Sequence, residues 1–129
     1  MTTLALLSIA ILFGGMVFFS FGFAPVLFAQ LPSERVRPLL RGTFPYYYLV
    51  VIAVSTICAA VAMIVQPLAA ALLLGVCLST VYARQDLMGR INAATDRGDK
   101  RMFGILHGLS VVIQLIQIGI VGWALILVV

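Results

Sequence analysis

The chain has 129 residues, of which 64% are hydrophobic and only 9% charged, with a mean hydropathy of +1.21. Soluble globular domains carry charge on about a quarter of their residues, so this composition excludes that class and places the chain in a bilayer. The net charge of +4 reads as the flanks of membrane spans, with anionic lipid head groups as partners and no nucleic acid.

Crossing ~30 Å of hydrocarbon at 1.5 Å per residue takes roughly 20 residues. The sequence predicts one domain, 1–129, with spans at about 4–29, 46–65, 68–84 and 104–128: an all-α, integral membrane four-helix bundle. Span one has no charged residue and carries Ser8, Gly15 and Gly22 at seven-residue spacing, the pattern of a packing face. Pro25 is expected to bend its far end, because proline deletes a backbone bond and clashes with the preceding turn. Arg35, Arg37 and Arg41 then form a charged loop, followed by Phe44, Tyr46, Tyr47 and Tyr48, which read as interfacial anchors, with one tyrosine reaching inward as the alternative.

Span two offers Ser55, Ala59 and Ala62 for packing and ends at a short Gln66-Pro67 turn. Span three supplies a ladder of small residues, Ala71, Gly75 and Ser79, and needs Tyr82 and a snorkelling Arg84 to reach across. Cys58 and Cys77 fall inside spans without any CxxC or metal-ligand spacing and read as packing residues. The second charged loop holds Arg84, Arg90, Arg97, Lys100 and Arg101, and its DRGDKR run reads as a solvated turn with Asp96 or Asp99 near a helix N-terminus. All eight basic residues thus lie in two loops. Basic loops stay inside, which puts both termini in the periplasm or exterior, and the first span, lacking a basic n-region, reads as retained. The expected location is the bacterial inner membrane, multi-pass.

Span four is apolar yet carries His107, Ser110, Gln114 and Gln117 at spacings of three, four and three, one stripe that should face the bundle. As interhelical glue, bonding each other or hydroxyls such as Ser20, Ser79 and Tyr82, these side chains contribute about 0.6 kcal/mol per bond. Alternatively His107 is a haem or metal ligand, or a protonatable group in a transport path. Arg84 and Tyr82, at a similar depth, complete a candidate polar cluster with His107. A lone histidine supplies one ligand only, so no cofactor is assigned, and haem or copper on His107 stands as the alternative. No Ser-His-Asp set, carboxylate pair, P-loop or GxGxxG motif is present, and no enzyme activity is expected.

Four stretches carry a resemblance: FGGMVFFSFGFAPVLFAQLP (Phe13 to Pro32), FPYYY (Phe44 to Tyr48), STVYARQDLMGRI (Ser79 to Ile91) and FGILHGLSVVIQL (Phe103 to Leu115). In this order they resemble the family of small four-span proteins that includes transmembrane protein 205, distantly similar to the copper-resistance type D membrane proteins. The resemblance marks Gly14, Gly22, Leu27, Phe28, Leu31, Pro32, Phe44, Pro45, Tyr47, Arg84, His107, Gly108 and Ser110. Tyr82 and Gln114 depart from it, standing where asparagine is common. It implies a helical membrane bundle, some of whose broader relatives bind haem, and it implies no reaction. The expected function is a non-enzymatic membrane component, a homo-oligomer or an accessory subunit of a larger complex, with a haem- or metal-binding protein and a small transporter or metal-tolerance factor as alternatives.

Overall fold

The computed structural model describes residues 1–129 and consists of helices joined by connections of one or two residues. Four helices are long and apolar enough to cross a membrane: α1, Thr2–Gln30; α2, Ser33–Val65; α3, Pro67–Arg97; and α4, Lys100–Val128. Such short connections force each helix to run antiparallel to the next. The contacts close a ring, with α2 against α3 most extensively, then α3 against α4, α1 against α2, and α1 against α4. The expected all-α four-helix bundle is the observed architecture.

Each connection has a local cause. Leu31 is extended ahead of Pro32, and Gln66 is extended ahead of Pro67, because a residue before proline is driven out of the helical region. Pro67 then opens α3 at a position where no N–H is needed. Gly98, at φ 70°, is the one residue in the left-handed region, where a side chain would be strained. Asp99 caps α4, its carboxylate accepting the Met102 N–H at 3.0 Å.

The two charged segments expected as loops are helical instead, extending α2 and α3 beyond the apolar spans. The reason lies in their periodicity: Val36 and Leu40 are buried while Arg35, Arg37 and Arg41 are exposed, Leu87 is buried between half-buried neighbours, and Ala94 is buried between exposed ones. Arg41 of α2 clamps Asp96 of α3 through two bonds of 2.8 and 3.0 Å, joining the extensions.

The expected disturbance at Pro25 takes the form of a π-helical turn over Phe18–Phe23, in which the Ala24 N–H reaches back to Phe19 O. The wider turn lies just where proline crowds the preceding backbone. A second π turn, Ala83–Leu87, interrupts α3 and carries Arg84.

The apolar core occupies the half of the bundle that holds the termini and Gln66. It is built from Ala5, Ile9, Leu12 and Met16 of α1, Val51, Cys58 and Ala62 of α2, Ala69, Ala70, Leu73 and Val76 of α3, and Val121, Ala124 and Val128 of α4. Of the small-residue seams expected from the sequence, that of α2 faces inward, with Ser55 and Ala62 buried and Ala59 packed against the core, whereas those of α1 and α3 turn largely outward. Gly15, Ala71 and Gly75 face outward, and a Cβ at Gly15 or Gly75 would meet nothing within 4 Å. Gly22 approaches only Phe18 of its own helix. Ser8 is half-buried and returns its hydroxyl to Ala5 O. The helices meet through buried alanines (Ala5, Ala62, Ala69, Ala70 and Ala124) interleaved with medium-sized side chains, and the one glycine with another helix against its Cβ position is Gly122, 3.2 Å from the Phe13 ring. Cys58 and Cys77 are unbridged and buried, with the Cys77 sulfur 3.3 Å from Thr56 Oγ1 across the α2–α3 seam.

Candidate functional site

Beyond the core towards the charged end, the interior becomes polar. Gln117, 4% exposed, projects from α4 onto α3, where its amide nitrogen donates to Ser79 Oγ at 2.7 Å and Thr80 Oγ1 at 3.0 Å. Both hydroxyls donate in turn to Val76 O, at 3.0 and 2.7 Å. This knot is closed, with each donor passed to an acceptor of α3 itself. One turn further, the Gln114 amide nitrogen donates to Ser20 Oγ of α1 at 2.9 Å and to Tyr47 Oη of α2. Three helices meet at that point. Ser79 lies about twelve residues along α3, some 18 Å from its start, so the polar layer stands near mid-membrane.

Aromatic packing holds Tyr47 there. Its ring stacks on Phe19 at 4.0 Å between centroids and packs against Phe44 and Tyr48. Of the expected anchors only Tyr46 is fully outward, at 72% exposed; Tyr47 is the tyrosine that reaches inward, towards Gln114 and Ser20 and not towards Arg84.

The six residues expected to form one polar cluster therefore separate. Gln114 and Gln117 face the interior. Arg84, half-buried on the π turn, donates from Nε to Pro45 O of α2 at 3.3 Å and from Nη1 to Gln85 Oε1 at 2.9 Å. Tyr82 is 44% exposed and makes no side-chain hydrogen bond. His107 is exposed, its ring stacked parallel on Phe103 at 5.4 Å, and makes no side-chain hydrogen bond. Ser110 turns its hydroxyl back to His107 O at 2.7 Å. The polar stripe of α4 is thus two stripes: Gln114 and Gln117 inward with Leu106, Ser110 and Ile113 half-buried beside them, and His107 with Gly104 and Gly108 outward. At about 100° per residue the ten residues from His107 to Gln117 leave the two roughly 80° apart round the helix, so His107 stands at the edge of the stripe, where its ring turns outward.

From Lys100 to Ile116, nearly five turns of α4, no residue is buried, whereas Gln117, Val121, Ala124 and Val128 are. Cβ atoms at Gly104 and Gly108 would meet nothing within 4 Å. No group of three or more His, Cys, Asp or Glu side chains converges in a metal-binding arrangement. Ser20 and Ser79, two of the hydroxyls expected to bond the stripe, do accept from Gln114 and Gln117; the aromatic support of Tyr47 and the outward turn of His107 were not legible from spacing, and the run of aromatic residues at Phe44–Tyr48 opposite Phe19 was the available signal for the first.

Residues 7–100 match the family described as a domain of unknown function, DUF4149, and the chain belongs to it. The match ends where α4 begins, so His107, Gln114 and Gln117 lie beyond it. No curated protein and no solved structure matches the chain.

Proposed function

We propose that this DUF4149 protein is a non-enzymatic multi-pass membrane component that associates laterally with other membrane helices through the outward face of α4. One observation carries the reading: His107 sits on the outer surface of a membrane-spanning helix, about seven residues from its start, exposed and without a hydrogen-bond partner. At 1.5 Å per residue His107 stands about 15 Å from Gln117 towards the charged end, near the edge of the hydrocarbon, where an unpartnered imidazole can meet a second helix. Gly104 and Gly108 flank it one turn apart with open space above them, which lets a second helix backbone approach closely. The association is with a second copy or a larger membrane complex, in the bacterial inner membrane, both termini outside by the distribution of basic residues. The resemblance to transmembrane protein 205 and the copper-resistance type D proteins motivates a second reading, in which a partner completes a haem or copper site on His107.

The test is the mass of the purified protein in lipid nanodiscs or mild detergent, compared with a Gly104→Ile/Gly108→Ile variant. Association that is lost in the variant, with helical content kept, supports the reading. A wild-type monomer that co-purifies with no partner, or an assembly indifferent to both substitutions, overturns it. Oxidised and reduced absorption spectra of the same samples beside His107→Ala test the second reading, which a Soret band or bound copper lost in the variant would support.

A further inference from the structure

Every charged side chain of this protein lies at one end of the bundle, and the pairing there is uneven. Asp96 is clamped by Arg41, Asp86 lies 3.1 Å from Arg90, and Asp99 lies 3.6 Å from Arg97. These three pairs neutralise three of the four acids and three of the eight bases. Arg35, Arg37, Arg84, Lys100 and Arg101 enter no ion pair, against Glu34 as the one unpaired acid, so five cations less one acid account for the whole net charge of +4.

The five differ in depth. Arg35 and Arg37 are exposed on the first turns of α2, and Lys100 and Arg101 are exposed on the first turn of α4. Arg84 sits lower, about 25 Å along α3 from Pro67 at 1.5 Å per residue, close to the edge of a hydrocarbon layer of ~30 Å. It is half-buried, and its position is fixed by the bonds from Nε to Pro45 O and from Nη1 to Gln85 Oε1. A guanidinium has five N–H donors, and two are used here, leaving the Nη2 pair and one Nη1 hydrogen for an acceptor outside the protein. A planar donor fork fixed at the depth where an acyl chain meets its head group suits a phosphodiester oxygen pair.

We infer that the charged end binds anionic phospholipid, with Arg84 holding a head-group phosphate at the level of the π turn and Arg35, Arg37, Lys100 and Arg101, roughly 15–20 Å further out along the helices, adding a weaker, screened attraction. This goes beyond lateral association through α4 and does not depend on it. Charge complementarity selects the occupant: a zwitterionic lipid brings its own cation to the rim, whereas an anionic lipid leaves the excess charge to be neutralised. Each basic residue near an anionic surface contributes about 1 kcal/mol, close to fivefold in affinity.

The experiment is native mass spectrometry of the detergent-solubilised full chain titrated with phosphatidylglycerol, phosphatidylcholine or inorganic phosphate. Phosphatidylglycerol is expected to bind at least tenfold tighter than phosphatidylcholine and to weaken as salt rises. Arg84→Gln should lower its affinity about fivefold, and Arg35→Gln/Arg37→Gln, on the outlying rim where folding is not at issue, by less than that. Asp86→Asn/Arg90→Gln, which removes an ion pair without changing net charge, should leave the affinity unaltered. Equal binding of the two lipids overturns the inference. So does an unchanged affinity in the Arg84→Gln variant, or displacement of the lipid by millimolar phosphate, which would mark a small-anion site instead.

Discussion

Replacing Gln117 with leucine keeps the volume of the side chain while removing its polar atoms from the α3–α4 interface. Two hydrogen bonds are lost, to Ser79 Oγ and Thr80 Oγ1. Inside a membrane such bonds average about 0.6 kcal/mol each, so the expected cost is about 1 kcal/mol. It stays that small because neither hydroxyl is orphaned, both still donating to Val76 O. Gln117→Ala loses the same bonds and also empties a buried site, and should cost roughly 3 kcal/mol. Reversible unfolding in mixed micelles of rising sodium dodecyl sulfate fraction measures both. A double-mutant cycle of Gln117→Leu with Thr80→Val isolates the pair and should return a coupling below about 1 kcal/mol. A leucine variant as damaged as the alanine variant would refute the reasoning, since it would mean that the polar knot, and not its volume, holds α3 to α4.

Glycine substitutions should separate open from closed positions. Gly75→Ala is expected to be neutral or to stabilise by up to about 1 kcal/mol, because nothing meets the new methyl group and alanine is the better helix former. Gly122→Leu should destabilise in the same unfolding assay by about 1–3 kcal/mol through collision with the Phe13 ring. Tyr47→Phe keeps the stack on Phe19 but removes the hydroxyl that accepts from Gln114, and should cost less than Tyr47→Ala by about 2 kcal/mol or more in that assay. At the charged end, the hydrogen bonds from Arg41 hold the Asp96 carboxyl below its ordinary range. A carboxyl depressed in the folded state adds stability above its unfolded pKa and loses it as pH falls through the folded one. Acid titration of stability should therefore show a small loss on the low side of the usual carboxylate range that Asp96→Asn abolishes and that added salt diminishes.

The four spans were legible because a 20-residue apolar run leaves few alternatives, and the turn at Gln66-Pro67 was legible because proline sets the geometry of its neighbour. The helical charged extensions were not: Val36, Leu40, Leu87 and Ala94 repeat at helical intervals, but high charge between spans reads first as loop. Small residues misled in α1 and α3. Gly15 and Gly75 suggest close helix approach, yet the buried positions are Ala5, Ile9, Leu12 and Met16 in α1 and Ala69, Ala70, Leu73 and Val76 in α3. The inward role of Gln114 and Gln117 followed from their spacing, since lipid refuses an amide. His107 did not follow, because a histidine near a helix end can also face outward towards an interface or a partner. Its partner, if carried by another chain, has no trace in this sequence.

The measurement that tests the lateral-association reading most directly is thiol cross-linking in native membranes, with single cysteines at Gly104, Gly108 and Val111 on the outward face of α4 and at Ile126 on the same helix's far end, all in a background lacking Cys58 and Cys77. Ile126 is the control because it is 73% exposed and lies outside the proposed contact. The account predicts cross-linked species above monomer mass at 104, 108 and 111, weakened by His107→Ala, and none at 126. Uniform cross-linking along the helix, or none at any position, would contradict it.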